Sequence, residues 1–257
     1  MAKSNTTPVM KQYSKIKKQY PDAFLFYRVG NFYELYGNDA IKGAQLLELT
    51  LTHRFKNTKH QVSMVGMPCA VADTYVDTLV EKGYKVALCE QLEDPKKAKG
   101  LTKRGITQLI TPGTIMKGGS NEAEDSNYLT SVITIKSGFG LAYSDLSTGE
   151  IYTTHLKSFA AVSNELLSLR TKEVVYNGPL TDQDNNFMHK ANITVSQPIL
   201  LKGKHAEISY VQQKLTNRAE KEAVKQLVGY LLKTQKRSLA HLQIAKSYEV
   251  NQYLQMS

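Results

Sequence analysis

Thirteen residues divide this sequence in two. Residues 114–126 read TIMKGGSNEAEDS, a polar run with a Gly-Gly pair and three acidic side chains. It offers no apolar face of helical or strand period, so a hydrophobic core cannot continue through it. Counted with the preceding Gly113, it predicts a linker over 113–126. A chain of 257 residues has room for two ordinary domains on either side. The charge is partitioned in the same way. Residues 1–117 carry 18 basic and 10 acidic side chains, a net +8, whereas 118–200 carry 5 and 9, a net −4. Residues 201–257 carry 10 and 4, a net +6. A basic first part beside an acidic middle predicts two domains with different partners, and a polyanion suits the first. The competing reading is an ordinary basic surface that favours solubility.

Composition closes several classes. With 41% hydrophobic and 22% charged residues the mixture is that of a globular protein. No run of 18 apolar residues occurs, so the reading is that nothing crosses a membrane. The opening MAKSNTTPVMKQYSKIKKQY lacks the apolar core of a signal peptide. Cys69 and Cys89 are too few for a disulfide framework or a Cys-rich metal site. A reducing, cytoplasmic location is the expectation.

The first part alternates strands and helices. Thr7 is placed to cap a helix with Pro8 at its first position, and Val9, Tyr13, Ile16 and Tyr20 recur at helical spacing. Ala23–Val29 reads as a strand, Gly30-Asn31 as a turn, and 33–47 as a helix facing inward through Leu35, Ala40, Ala44 and Leu47. Leu49–His53 and Val62–Met67 read as strands around a basic loop. Val71–Lys82 reads as a helix closed by Gly83, Lys85–Gln91 as a strand, Asp94–Lys99 as a helical turn and Gly105–Thr111 as a strand. The expectation is a small mixed-sheet α/β domain over 1–112.

In the second part, strands over Tyr128–Lys136, Leu141–Asp145 and Glu150–His155 precede a helix over Phe159–Leu169 and a strand over Glu173–Tyr176. Three antiparallel strands, a helix and a strand open a ribonuclease H-like α/β fold. Glu220–Gln235 is an amphipathic helix with a stripe of Val224, Leu227, Val228, Leu231 and Leu232. This predicts a second domain over 127–236, with 237–257 beginning a further element.

Catalytic signatures are missing from the sequence. It has no Gly-x-x-x-x-Gly-Lys-Ser/Thr loop, no Gly-x-Ser-x-Gly elbow and no His-Glu-x-x-His pair. His53, His60, His155, His189, His205 and His241 are scattered. Asp145 ends a strand, where a ribonuclease H-like nuclease would gather carboxylates around two metals. It stands nearly alone before Ser-Thr-Gly, which reads as an Asx-type turn.

The most unusual stretch is Phe24-Leu-Phe-Tyr-Arg-Val-Gly-Asn-Phe-Tyr-Glu-Leu-Tyr36, with six aromatic residues in a chain that averages 9%. Were 32–34 extended, Phe32 and Glu34 would project to one side and Tyr33 to the other. An aromatic wedge can enter a base step and kink a duplex. A carboxylate repels phosphate unless it accepts a hydrogen bond from a base edge. Together they would detect a weak base step rather than a sequence. The other reading places Phe32 in the core, Glu34 in the first turn of a helix and Asn31 as its cap.

These residues resemble a known family. Gly30-Asn-Phe-Tyr-Glu34 is similar to the Gly-x-Phe-Tyr-Glu motif of the MutS family of DNA mismatch recognition proteins. Thr7-Pro-Val-Met-Lys-Gln-Tyr13, Leu25-Phe-Tyr-Arg28 and Tyr84-Lys-Val-Ala-Leu-Cys-Glu-Gln-Leu-Glu-Asp-Pro95 resemble it in order and spacing. So do Gln108-Leu-Ile-Thr-Pro-Gly-Thr114 and Thr234-Gln-Lys-Arg-Ser-Leu-Ala-His-Leu242. The similarity is most specific over 7–114 and looser beyond. Departures are Asn31, where the family commonly has Asp, Pro68-Cys69-Ala70, where an aromatic and a His usually follow the proline, and Ser257, where an Asp is common.

The resemblance implies a mismatch-recognition domain over 1–112, a connector over 127–236 and the start of a helical lever over 237–257. It implies that Phe32 stacks on a mispaired or unpaired base from the minor groove of kinked DNA and that Glu34 hydrogen-bonds that base. Gly30, Asn31 and Tyr33 complete the motif. The basic side chains Lys56, Lys59, Lys96, Lys97, Lys99, Lys103 and Arg104 are the candidates for phosphate contact. The connector is implied to meet MutL, the downstream partner. ATP and magnesium are implied to act in a C-terminal domain outside these residues, as are most contacts of the family's homodimer. The expectation is thus a non-enzymatic, monomeric piece of a longer protein.

Overall fold

The computed structural model describes residues 7–95, 97, 98, 100–114, 128–199, 201, 203–235 and 239–250. Most of the expected linker, Lys96, Lys99 and residues 237, 238 and 251–257 lie outside the described residues. The chain separates into two compact units, Met1–Thr111 and Pro112–Ser257.

The first unit runs α1 (Pro8–Lys17), β1 (Ala23–Val29), β2 (Phe32–Tyr36), α2 (Asn38–Leu46), β3 (Thr52–Arg54), β4 (Val62–Pro68), α3 (Ala72–Glu81), β5 (Lys85–Gln91) and β6 (Arg104–Ile110). A short 3-10 turn, Cys69–Val71, joins β4 to α3. The strands form one mixed sheet in the order β3-β4-β2-β1-β5-β6. Only β1 and β5 pair in parallel; the other neighbours are antiparallel. Thr7 caps α1, its hydroxyl accepting from the Met10 N–H at 3.4 Å. Tyr13 and Ile16 of α1 pack on the sheet face that carries Leu25, Tyr27 and Tyr36. On the opposite face, α2 approaches so closely that a Cβ on Gly43 would lie 2.6 Å from Leu35 Cδ1.

One element differs from expectation. Residues 33–47 are not a single helix. Phe32–Tyr36 is a strand, Gly37 breaks the chain at φ +60°, and the helix begins at Asn38. The alternation Tyr33, Leu35 against Phe32, Glu34 won over the helical spacing because β2 has a strand partner on each side. The edge strand is also displaced, to Thr52–Arg54 rather than Leu49–His53.

The second unit runs β7 (Tyr128–Ile135), β8 (Gly138–Asp145), β9 (Ile151–Leu156), α4 (Phe159–Ser168), β10 (Glu173–Tyr176), α5 (Asp182–Lys190), β11 (Thr194–Ser196), α6 (Ala206–Val211), α7 (Arg218–Gln235) and β12 (Lys246–Ser247). Its sheet has the order β11-β10-β7-β8-β9-β12. β7, β8 and β9 form an antiparallel meander, β10 pairs in parallel with β7, and β11 in parallel with β10. This is the ribonuclease H-like arrangement. The α7 stripe of Val224, Leu227, Val228 and Leu231 is fully buried in one core, with Leu232 at its margin. Val162 and Leu166 of α4 and Met188 of α5 fill a second core.

Residues 239–250 contain no helix. Leu239, Leu242 and Ala245 are buried in the α7 core, and β12 pairs in parallel with β9. Apolar burial thus ties these residues to the second unit, although the sequence reading placed them beyond its end at 236.

Candidate nucleic-acid interface

The Gly30-Asn31 turn joins β1 to β2, with Val29 opposite Phe32. Gly30 has φ +59° at the first central position of this two-residue hairpin, a conformation that favours glycine. The Asn31 carbonyl accepts from the Cys69 N–H at 2.9 Å, which fastens the turn to the end of β4. This contact is main chain to main chain, so it does not depend on the side chains at Asn31 or Cys69.

Phe32, Glu34 and Tyr36 share one face of β2, and Tyr33 and Leu35 the other. Phe32 is 48% exposed beside Pro68, its partner on β4. It lies outside the core, Asn31 sits in the hairpin turn rather than at a helix cap, and residues 32–34 are extended. Tyr33 is buried, and its hydroxyl donates to Glu90. Burial, and then the hydrogen bond to Glu90, holds this phenol well above the ordinary tyrosine range. Arg28 pairs with the same carboxylate at 3.1 Å. Tyr33 is therefore a support beneath the surface rather than part of it.

Glu34 is clamped. Its Oε2 accepts from Arg54 Nη1 and from the Tyr36 hydroxyl. Arg54 Nη1 also lies 2.6 Å from the Tyr36 hydroxyl oxygen. Side-chain exposure is 14% for Glu34 and 26% for Arg54. No donor among the described residues reaches Oε1 of Glu34. Gly66 is its register partner on β4, and a Cβ there would meet nothing within 4 Å, so that flank is open. A half-exposed ring thus stands beside a carboxylate with one oxygen fixed and one available.

The candidate basic residues separate into groups. Lys97 and Lys103 are exposed in the connection from β5 to β6, at the Phe32 end of the sheet. Lys56 and Lys59 are exposed in the β3–β4 loop at the opposite end of β4. Six residue steps separate Val62 from Pro68, or about 20 Å at roughly 3.3 Å per residue. Arg104 turns inward. It donates to the Arg28 carbonyl at 2.6 Å, the Thr102 carbonyl at 3.1 Å and Gln12 Oε1 at 3.2 Å, and lies 4.8 Å from the centre of the Tyr27 ring. With its guanidinium so engaged, Arg104 stitches α1 to the sheet.

Arg54 escaped the sequence reading. It ends a three-residue edge strand and looks there like any basic surface residue. The signal was parity: Arg54 pairs with Val62, and Glu34 pairs with Gly66, so both side chains lie on one face. That parity is visible only once β4 is known to lie between β3 and β2.

Asp145 in the second unit makes an Asx turn, with Oδ1 accepting from the Ser147 N–H at 2.7 Å and the Ser147 hydroxyl at 2.6 Å. Among the described residues no three His, Cys, Asp or Glu side chains gather as a metal would need. Among these residues Asp145 therefore lacks the companion carboxylates that a two-metal nuclease centre needs. Among them, too, no helix is long and apolar enough to cross a membrane.

Comparison with known proteins gives a consistent pattern. Residues 7–119 match the family model described as MutS domain I, and residues 127–243 the model described as MutS domain II. A DNA mismatch repair protein MutS from Lactobacillus helveticus is 78% identical over 249 residues, covering 97% of this chain and 29% of that protein. The protein of the same name from Lactobacillus acidophilus is 76% identical over the same shares. That from Lactobacillus johnsonii is 71% identical over 257 residues, covering all of this chain and 30% of its own length. The chain thus spans less than a third of the relatives it matches.

Proposed function

The chain belongs to the MutS family, carrying its domains I and II, and from that premise we propose that the first unit detects mispaired or unpaired bases in duplex DNA. The observation that carries this reading is the half-exposed Phe32 ring beside the one available oxygen of Glu34. Stacking a base on an aromatic ring is worth about 1–3 kcal/mol. Opening a base step costs a few kcal/mol, and least where pairing is already broken. At a sound step the two terms nearly cancel, whereas at a mismatch stacking wins. Glu34 adds to the difference. A hydrogen bond to a charged group contributes about 1.5–3 kcal/mol, and a base whose pairing is broken has additional N–H groups free to supply it. The exposed lysines Lys97 and Lys103 contribute a salt-dependent term that is blind to sequence. Deformability of the mispaired step thereby becomes binding energy.

The second unit is assigned the connector role, a docking surface for MutL. ATP and magnesium chemistry and dimerisation are assigned to parts of the relatives that this chain does not span. Size-exclusion chromatography with light scattering should find a monomer.

Fluorescence anisotropy at low salt tests the central reading. The 257-residue chain should bind a duplex with one mismatch more tightly than the matched duplex, and Phe32→Ala should remove the preference while leaving the fold intact. Equal binding of the two duplexes by the unaltered chain, or binding of neither, refutes it.

A further inference from the structure

We propose that Arg54 and Tyr36 are positioning residues for mismatch discrimination, holding Glu34 so that Oε1 alone faces the base. The inference rests on the reading of Glu34 as the base-contacting group. Three observations carry it. Both donors converge on the same oxygen, Oε2. Arg54 and Tyr36 also contact each other at 2.6 Å, so the three groups close a triangle that pins Oε2. The clamp lies on the Phe32 face of β2, and the register position beside it is Gly66, with open space where a side chain would stand.

The clamp has two physical consequences. A free glutamate side chain loses rotamer entropy when it orders on a ligand, and a clamped one has already lost it on folding. The guanidinium also offsets the carboxylate charge that would otherwise repel nearby phosphates. A carboxylate is tolerable beside a polyanion here because its countercharge comes from the protein. Arg54 therefore acts through Glu34 and not as a phosphate contact, which is the role that a basic residue beside a basic loop would otherwise be given.

The test compares mismatched and matched duplexes across variants of the 257-residue chain and reads two quantities: the affinity ratio, and the slope of log affinity against log salt on matched DNA. Arg54→Ala should lower the ratio roughly tenfold, the scale of one charge-assisted hydrogen bond, whatever the uncovered carboxylate does to the slope. Tyr36→Phe should lower the ratio severalfold, and Arg54→Lys, which keeps a donor and a charge, should retain most of it. The double variant Arg54→Ala with Glu34→Gln should discriminate no worse than Glu34→Gln alone. Should Arg54→Ala fail to fold, Tyr36→Phe and Arg54→Lys carry the same comparison. A phosphate contact predicts otherwise: equal loss on both duplexes and a slope smaller by about one. That result, or an unchanged ratio in both Arg54→Ala and Tyr36→Phe, overturns the proposal. If Phe32→Ala also leaves the ratio unchanged, the mismatch reading itself falls. If Phe32→Ala abolishes it while the clamp variants do not, the positioning role alone falls.

Discussion

The carboxylate of Glu173 lies fully inside the second unit and accepts a hydrogen bond from the Gly113 backbone N–H at 2.9 Å. The Tyr230 hydroxyl donates to the same carboxylate at 2.7 Å, and the Ser196 hydroxyl donates as well. One side chain on β10 thus gathers α7, β11 and the first residues of the unit. The fit around Gly113 is tight, since a Cβ there would lie 2.8 Å from Leu129 Cδ1 and 3.0 Å from Glu173 Cβ.

Replacing Glu173 by Ala leaves three buried donors without this acceptor and opens a cavity. A loss of about 3 kcal/mol is expected in the second unit. Chemical denaturation followed by circular dichroism should show it, and hydrogen exchange at the Gly113 amide should accelerate. An unchanged midpoint would contradict the anchoring role.

Gly140 and Gly66 make a contrasting pair. A Cβ on Gly140 would lie 2.2 Å from the Ala219 carbonyl oxygen of α7, whereas one on Gly66 would meet nothing within 4 Å. Gly140→Ala should therefore cost about 3 kcal/mol by forcing α7 off the sheet, and Gly66→Ala well under 1 kcal/mol. Equal midpoints in thermal or urea unfolding would place α7 incorrectly.

Glu34→Ala should raise affinity for matched duplex about threefold at low salt, because it removes a negative charge and frees the Arg54 guanidinium. The gain should shrink as salt screens the charges. Anisotropy titration at two salt concentrations checks it. A fall in matched affinity would mean that the carboxylate faces away from DNA.

Four phenols in the first unit, Tyr13, Tyr27, Tyr33 and Tyr36, are held above the ordinary tyrosine range, burial being the first cause in each. They ionise less readily folded than unfolded. Their contribution to stability is whole below about pH 10 and is lost as pH rises beyond it. The first unit should therefore unfold in alkali, with phenolate absorbance and loss of circular dichroism rising together. Phenolate absorbance that develops fully at about pH 10 with the fold intact would contradict this burial.

Much of the local structure was legible in the sequence. Thr7-Pro8 announced α1, Gly30-Asn31 the hairpin, Gly83 the end of α3, and the apolar stripe of 224–232 the long helix α7. On the condition that 32–34 were extended, strand alternation put Phe32 and Glu34 on one face and Tyr33 on the other. The failure at 33–47 was a competition between two periods. Leu35, Ala40, Ala44 and Leu47 fit a helix, but the partners of β2 and the break at Gly37 decided otherwise.

The sequence by itself therefore determined most of the elements, the two-part division and the family motif, because turns, caps and periodicity depend on residues within a few positions of one another. Tertiary structure alone decided which charges work together. Arg54 reaches Glu34 across an intervening strand, Arg104 spends its guanidinium inside the fold, and Glu173 closes on Gly113 from sixty positions away. Strand order and register set these meetings. A lysine or arginine carries no local mark that tells a phosphate ligand from a buried clamp, since the two differ only in what the folded chain places opposite them.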